Sequence, residues 1–194
     1  MNDVDRAGLP VRAFASLAAW EAWLEQQPRE SKGVWLKLAK KSAGTPSVSK
    51  AEAIDGALCH GWIDGQLDGF DADWFLVRFT PRKARSKWSQ KNRQRAEELL
   101  AAERIHPAGQ AEIDAAKNDG RWAAAYAPAS TATVPDDLAT ALDAEPKARA
   151  FFDTLTGANR YAILYRVHDA KKPETRAGRI AKFVAMCARG ETVH

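Results

Sequence analysis

Between Trp62 and Thr80 the chain reads WIDGQLDGFDADWFLVRFT. Two runs with alternating side chains, Trp62–Leu67 and Trp74–Thr80, flank the turn-rich DGFDAD. Alternation over six or seven residues on either side of a Gly/Asp-rich joint is the pattern of an antiparallel hairpin. A lone hairpin is barely stable in water, so this one needs helices or further strands over its apolar face. Everything else in the chain must supply that cover.

Helical patterns surround the hairpin. SLAAWEAWLEQQP sets Leu17, Trp20, Trp23 and Leu24 on one helical face after Ser16, and Pro28 ends it. GVWLKLAKK alternates Val34, Leu36 and Leu38 and predicts another strand. Ser49 and Glu52 stand at capping-box spacing and open a helix to about Cys59, with Gly61 as its stop. In that helix Ala51, Ile54 and Leu58 form the expected apolar stripe. Helices follow Pro81, from about Ser89 to Glu103 and over AGQAEIDAAKN. From Trp122 to Pro135 no residue is charged. Beyond this stretch all patterns are helical: 136–142, 146–155, 159–168 and 174–189. The expectation is an α+β fold: a small antiparallel sheet that includes the 62–67/74–80 hairpin, covered by helices. An α+β domain over 1–122, an uncharged connecting arm over 123–135, and a helical C-terminal segment over 136–194 packed on the first part complete it.

Charge narrows the search for a site. The net charge of +4 conceals one strongly basic segment: Arg78 to Arg95 holds eight basic residues and no acid. Within it Arg82, Arg85, Ser86, Trp88, Ser89 and Asn92 combine cations, hydroxyls and the start of a helix, a set suited to phosphate. Arg82, Lys83, Arg85, Lys87 and Lys91 are expected to be exposed and to form one positive surface. A solvated loop answering Asp68, Asp71 and Asp73 is the plainer alternative. On the hairpin, one register places Asp64 opposite Arg78 and Gln66 opposite Leu76. Trp62, Asp64 and Arg78 then share a mixed face, either as a covered ion pair or as a ligand-binding wall.

The stretch CHGWIDG, Cys59 to Gly65, invites a catalytic reading. Cys59 falls in the last turn of its helix, near Glu52 and Asp55, where the dipole and both carboxylates oppose a thiolate. We read it as a packing residue, and His60 as part of a helix C-terminus. Cys187 belongs to the packed face of the last helix. Two cysteines form no disulfide framework and suit a reducing, cytoplasmic setting. The four histidines do not combine with cysteines at zinc spacing. No glycine-rich phosphate loop, nucleophile elbow or HExxH motif is present, so no metal, cofactor or catalytic residue is assigned. No run of residues is long and apolar enough for a membrane span, so no membrane insertion is expected, and the N-terminus makes a poor signal peptide.

Five stretches carry a resemblance: GVWLKLAKK, ALCHGWIDGQ, RFTPRKARSKWSQKNR, HPAGQAEIDAAKNDGRW and AKKPETRAGRI. In this order, over about Gly33 to Gly190, the chain resembles the YdeI/OmdA family, labelled bacteriocin-protection, YdeI or OmpD-associated. At His60 the family pattern often has a large apolar or aromatic residue. The resemblance implies a bacterial protein connected with envelope stress or bacteriocin tolerance, and brings no reaction or cofactor. Three functions stay open. The preferred one is a cytoplasmic stress-protection module that recognises an anionic ligand, phosphate-containing or nucleic acid, through Arg78–Arg95. The others are an enzyme on a small polar substrate at the Trp62/Asp64/Arg78 face, and a protein–protein adaptor acting through the helical tail.

Overall fold

The computed structural model describes residues 5–194. The chain divides into two compact units: the described residues up to Trp88 with 92–125, and 89–91 with 126–194. The first unit holds the sheet. Its strands are β1 (Asp5–Arg6), β2 (Leu9–Ala13), β3 (Val34–Ala39), β4 (Trp62–Gly69) and β5 (Trp74–Pro81), in the order β1-β2-β3-β5-β4. The α+β expectation holds, but the sheet is mixed. Strands β2 and β3 are parallel, with helix α1 (Leu17–Glu25) between them. Leu9, Val11 and Ala13 alternate with Pro10 and Arg12, but a five-residue run containing a proline is a weak strand signal by itself.

Local signals set the helices as expected. The Ser16 hydroxyl accepts from the Ala19 N–H at the start of α1. The capping box of Ser49 and Glu52 is complete at the start of α2 (Lys50–Cys59). Its buried face is Ala53, Gly56 and Ala57 rather than one centred on Ala51, which is exposed. The reason is Trp20, wholly buried, whose indole lies against Gly56 and donates to the Ala53 carbonyl at 3.1 Å. Small residues let the large ring fit between α1 and α2. Trp20, Leu24, Val34, Leu36, Leu38, Trp62, Val77 and Phe79 form the core beneath these helices.

Helices α3 (Gln90–Ala101) and α4 (Pro107–Asn118) follow the sheet. Asp55 of α2 receives a two-pronged ion pair from Arg95 of α3, both contacts at 2.8 Å. Helix α4 approaches α2 without any side chain between the backbones. A Cβ on Gly109 would stand 2.2 Å from the Cys59 carbonyl oxygen, and one on Gly61 would stand 2.8 Å from that of Ala108. Gly61 also has φ +74°, so a side chain there is excluded twice over.

The hairpin forms where expected, with a different register. Asp64 pairs with Phe79, and the strand bulges before pairing resumes at Leu67 and Val77. Arg78 pairs instead with Trp35 across the β3–β5 ladder. Paired residues share a face, so Asp64 lies on the Phe79 side and Arg78 on the Trp35 side. The expected Trp62/Asp64/Arg78 face therefore does not exist, and among the described residues no ion pair joins Asp64 to Arg78. A β-bulge inserts an unpaired residue that alternation alone does not reveal.

The second unit is helical: α5 (Asp136–Asp143), α6 (Pro146–Thr154), α7 (Gly157–His168) and α8 (Pro173–Ala188). Leu138, Leu142, Phe152, Ile163, Val167, Phe183 and Cys187 fill its centre, and Ala132 and Val134 of the uncharged stretch pack on them. Arg176 of α8 holds both carboxylate oxygens of Asp137 on α5 and donates to the Val167 carbonyl at 2.9 Å. It keeps the Asp137 carboxyl below its ordinary range.

Two measurements check these contacts. Gly109→Ala forces a methyl group into backbone and is expected to cost about 3 kcal/mol in urea denaturation. Gly178→Ala, on an open face of α8, is expected to stabilise by about 0.5–1 kcal/mol. For the register, the combined Asp64→Ala and Arg78→Ala substitutions are expected to add within about 0.5 kcal/mol; a larger coupling contradicts the opposite-face placement.

Candidate functional site

The basic segment after β5 folds inward at its first cation. Arg82 was expected at the surface, yet it is 3% exposed. Its backbone N–H donates to the Gly61 carbonyl at 2.9 Å, its guanidinium donates to the Lys87 carbonyl at 3.2 Å, and its Cζ lies 3.6 Å from the centre of the Trp88 ring. Trp88 is itself buried, edge-on to Trp122 at 4.7 Å. Cation–π contact and tryptophan burial win over solvation of the charge, since a planar guanidinium is weakly hydrated.

The rest of the expected phosphate cradle is used by the chain. The Ser86 hydroxyl accepts from the Lys83 N–H at 2.9 Å, and the Ser86 carbonyl receives the Arg121 guanidinium at 3.0 Å. The Gln90 N–H, at the start of α3, donates to the Tyr126 carbonyl at 2.9 Å, and Ser89 bridges to the same tyrosine. Asn92 is half-buried. Lys83, Arg85, Lys87 and Lys91 are exposed as expected, and so is Arg78. Of the nine residues singled out, Trp62 and Arg82 line one cavity together.

That cavity, of about 100 Å³, lies in the first unit and opens to solvent. Four parts of the chain converge on it. The end of α1 and the loop after it contribute Leu24, Glu25, Gln27 and Arg29. The α2–β4 junction contributes His60, Gly61 and Trp62. Pro81 and Arg82 come from the end of β5, and His106, Ala108 and Glu112 from the start of α4. The Gly109 and Gly61 contacts bring α4 close enough to close the cavity.

Its chemistry is mixed. Glu112 is 4% exposed, and its carboxylate accepts from the guanidinium of Arg29, a side chain that is itself largely in solvent. His60, the last residue of the α2 cap, and His106, the N-cap of α4, stack with ring centres 5.0 Å apart. The Nδ1 of His106 accepts the Ala108 N–H at 3.3 Å, which leaves Nε2 to carry its proton. Burial, and then the neighbouring imidazole, lower the pKa of His60; Glu21 and Glu25 pull the other way. Cys59 lies beside His60 but is sealed off: burial raises its thiol to about 11.

Sequence reading missed His60, His106, Arg29 and Glu112 as a group. One signal was available. Glu112 falls on the helical stripe of Gly109, Ile113 and Ala116, an acid on an otherwise buried face. Arg29 and His106 carried none, since their part depends on four segments meeting. Among the described residues, no three His, Cys, Asp or Glu side chains are grouped to hold a metal ion. No helix among them is long and apolar enough to cross a membrane. In the second unit, an apolar groove along α5 and α8 is floored by Ala141, Ala177, Ile180, Ala181 and Val184.

Fold and cavity define an α+β sheet unit with a small, charged, solvent-connected site, in a chain that continues into a four-helix unit. Residues 12–112 match the family model described as "Domain of unknown function (DUF8412)", and the chain belongs to that family. Residues 131–190 match the model described as "Bacteriocin-protection, YdeI or OmpD-Associated". The resemblance read from the sequence is thus upheld, through the last of its five stretches. Its expected reach from Gly33 is narrower, the earlier stretches lying outside the match at 131–190. No curated protein matches the chain, and no solved structure does.

Burial predicts the behaviour of the thiols. At pH 8 Cys59 and Cys187 are expected to resist alkylation by iodoacetamide in the folded protein and to react fully in denaturant. Rapid labelling of native Cys59 would show that its surroundings open.

Proposed function

We propose that this is a binding protein of the bacteriocin-protection type whose first unit captures a small anion in the Arg82 cavity. The supporting observation is Arg82 itself: a guanidinium fixed by Trp88 and the Lys87 carbonyl, on the wall of a solvent-connected cavity. A cation fixed before the ligand arrives spends little entropy on binding. Arg29, at the mouth, supplies a second positive group that can turn from Glu112 toward an entering anion. Planar guanidinium suits carboxylate and phosphate alike. A cavity of about 100 Å³ is smaller than the roughly 150 Å³ that accepts benzene. It therefore suits a phosphate or a short carboxylate, or the acidic end of a larger molecule that protrudes.

A cytoplasmic place is part of this reading, supported by two free, buried thiols, one in each unit. A role in bacteriocin protection is supported by the description of the family matched at 131–190. Nucleic acid is the second anionic candidate, favoured by the exposed Lys83, Arg85, Lys87 and Lys91. It is the weaker one, because the two aromatic residues of the basic segment, Phe79 and Trp88, are both buried and leave no ring for base stacking.

Calorimetric titration with inorganic phosphate, acetate and duplex DNA at two ionic strengths separates these. Phosphate or acetate is expected to bind the native protein. Arg82→Ala should weaken binding at least tenfold, Arg82→Lys should do so less, and Lys83→Ala/Arg85→Ala should leave it unchanged. Circular dichroism of each variant guards against unfolding. If DNA binds instead, with a log–log salt slope near about −3.6 for four phosphates, and only the Lys83/Arg85 variant loses it, the cavity reading is wrong. Absence of any binding at low salt disposes of both.

A further inference from the structure

We infer that the cavity takes up its anion together with a proton, and that His60 is where the proton goes. This rests on the small-anion reading above and adds its regulation. His60 ends α2, His106 begins α4, and the His106 N–H donates to the Cys59 carbonyl at 3.0 Å. Gly109 and Gly61 press the same two helix ends together. The imidazoles are stacked at this junction, at 5.0 Å and 21° between planes.

Two stacked imidazoles so close cannot both be charged cheaply. His106 is committed to the cap of α4. Its Nδ1 lone pair receives the Ala108 N–H that caps α4, and a cation at a helix N-terminus opposes the dipole. His60 is at the C-terminus of α2, where the dipole favours a cation. Burial, and then His106, lower its pKa.

The charges around His60 decide what changes on binding. From α1 come Glu21 and Glu25, the first already paired with Arg104. Beyond α1 comes Arg29, from α4 come His106 and Glu112, and from β5 comes Arg82. The cations and acids lining the cavity roughly balance. An anion entering beside Arg82 adds negative charge to a small space whose charged groups are otherwise balanced. Of the cavity-lining groups, the two histidines can gain a compensating charge between neutral and mildly acidic pH, and His60 is the one placed where a helix dipole favours it. Proton and anion then favour each other, and by linkage each raises the affinity for the other by the same factor. The chemical class that fits is a small weak acid, delivered as its anion plus one proton.

Sulfate is the probe, because its charge stays constant over the range. Its affinity is measured by calorimetry from pH 7.5 to 4.5, in buffers of different ionisation enthalpy so that proton uptake is counted directly. We expect affinity to rise about tenfold as pH falls, with uptake approaching one proton, since one linked proton changes affinity by at most about tenfold per pH unit. His60→Asn should abolish this pH dependence. His106→Asn keeps a capping side chain but removes the second ring, so His60, followed by its NMR ring signals, should titrate at higher pH. Sulfate should shift the His60 titration upward in the native protein. Sulfate binding with no proton uptake would overturn the inference and leave the anion site standing. Retention of the full pH dependence by His60→Asn would overturn it too, by locating the proton elsewhere. If sulfate fails to bind at every pH, the anion site and its proton linkage fall together.

Discussion

The contact that the first unit depends on has no side chain in it. At the crossing of α2 and α4, Gly109 lies on the carbonyl of Cys59, and Gly61 faces the carbonyl of Ala108. Helix axes normally stand apart by the thickness of their side chains. Here that thickness is missing, and the ends of two helices meet as backbone. Everything at the cavity follows: His60 is set over His106, Glu112 is carried inward, and the Gly61 carbonyl is presented to the N–H of Arg82. Burial of Glu112 is tolerable because Arg29 reaches it; an unpaired carboxylate there would cost several kcal/mol.

Arginine serves here more as mortar than as surface charge. Arg95 binds α3 to Asp55 of α2, Arg121 holds Asp119 and the Ser86 carbonyl, and Arg176 ties α5 and the end of α7 to α8. Each uses a planar fork that a lysine does not reproduce. The dense cationic run after β5 is therefore two populations. Arg82 and Arg95 are committed to the interior or to acids, while Lys83, Arg85, Lys87 and Lys91 remain in solvent. Only the second population behaves as the charge count suggests.

The hairpin shows the limit of pattern reading in another way. Its existence and both strands were visible in alternation, and its buried side was visible in Phe75, Val77 and Phe79. Its register was not. One bulge between Asp64 and Leu67 moves Asp64 to the face of Phe79 and leaves Arg78 beside Trp35. Two charges that seemed partners end on opposite sides of the sheet, because a one-residue slip in a period of two reverses every side chain.

By itself the sequence determined the local elements. Ser16, the Ser49–Glu52 box, Pro28, the turn of DGFDAD and the four C-terminal helical stripes act within a few residues, through hydrogen bonds and dihedral preferences that no distant contact has to supply. It also determined that the fold is α+β and that residues 131–190 carry the family pattern. Only the tertiary structure decided the parallel pairing of β2 with β3, the inward turn of Arg82, and the cavity. These depend on segments far apart in the chain, Arg29, His60, Arg82 and Glu112 among them, meeting at one place. Their meeting is fixed by Trp20 over Gly56 and by the Gly109 crossing, where the absence of a side chain sets the distance. A glycine in a sequence states that space is available; what fills that space is a property of the fold.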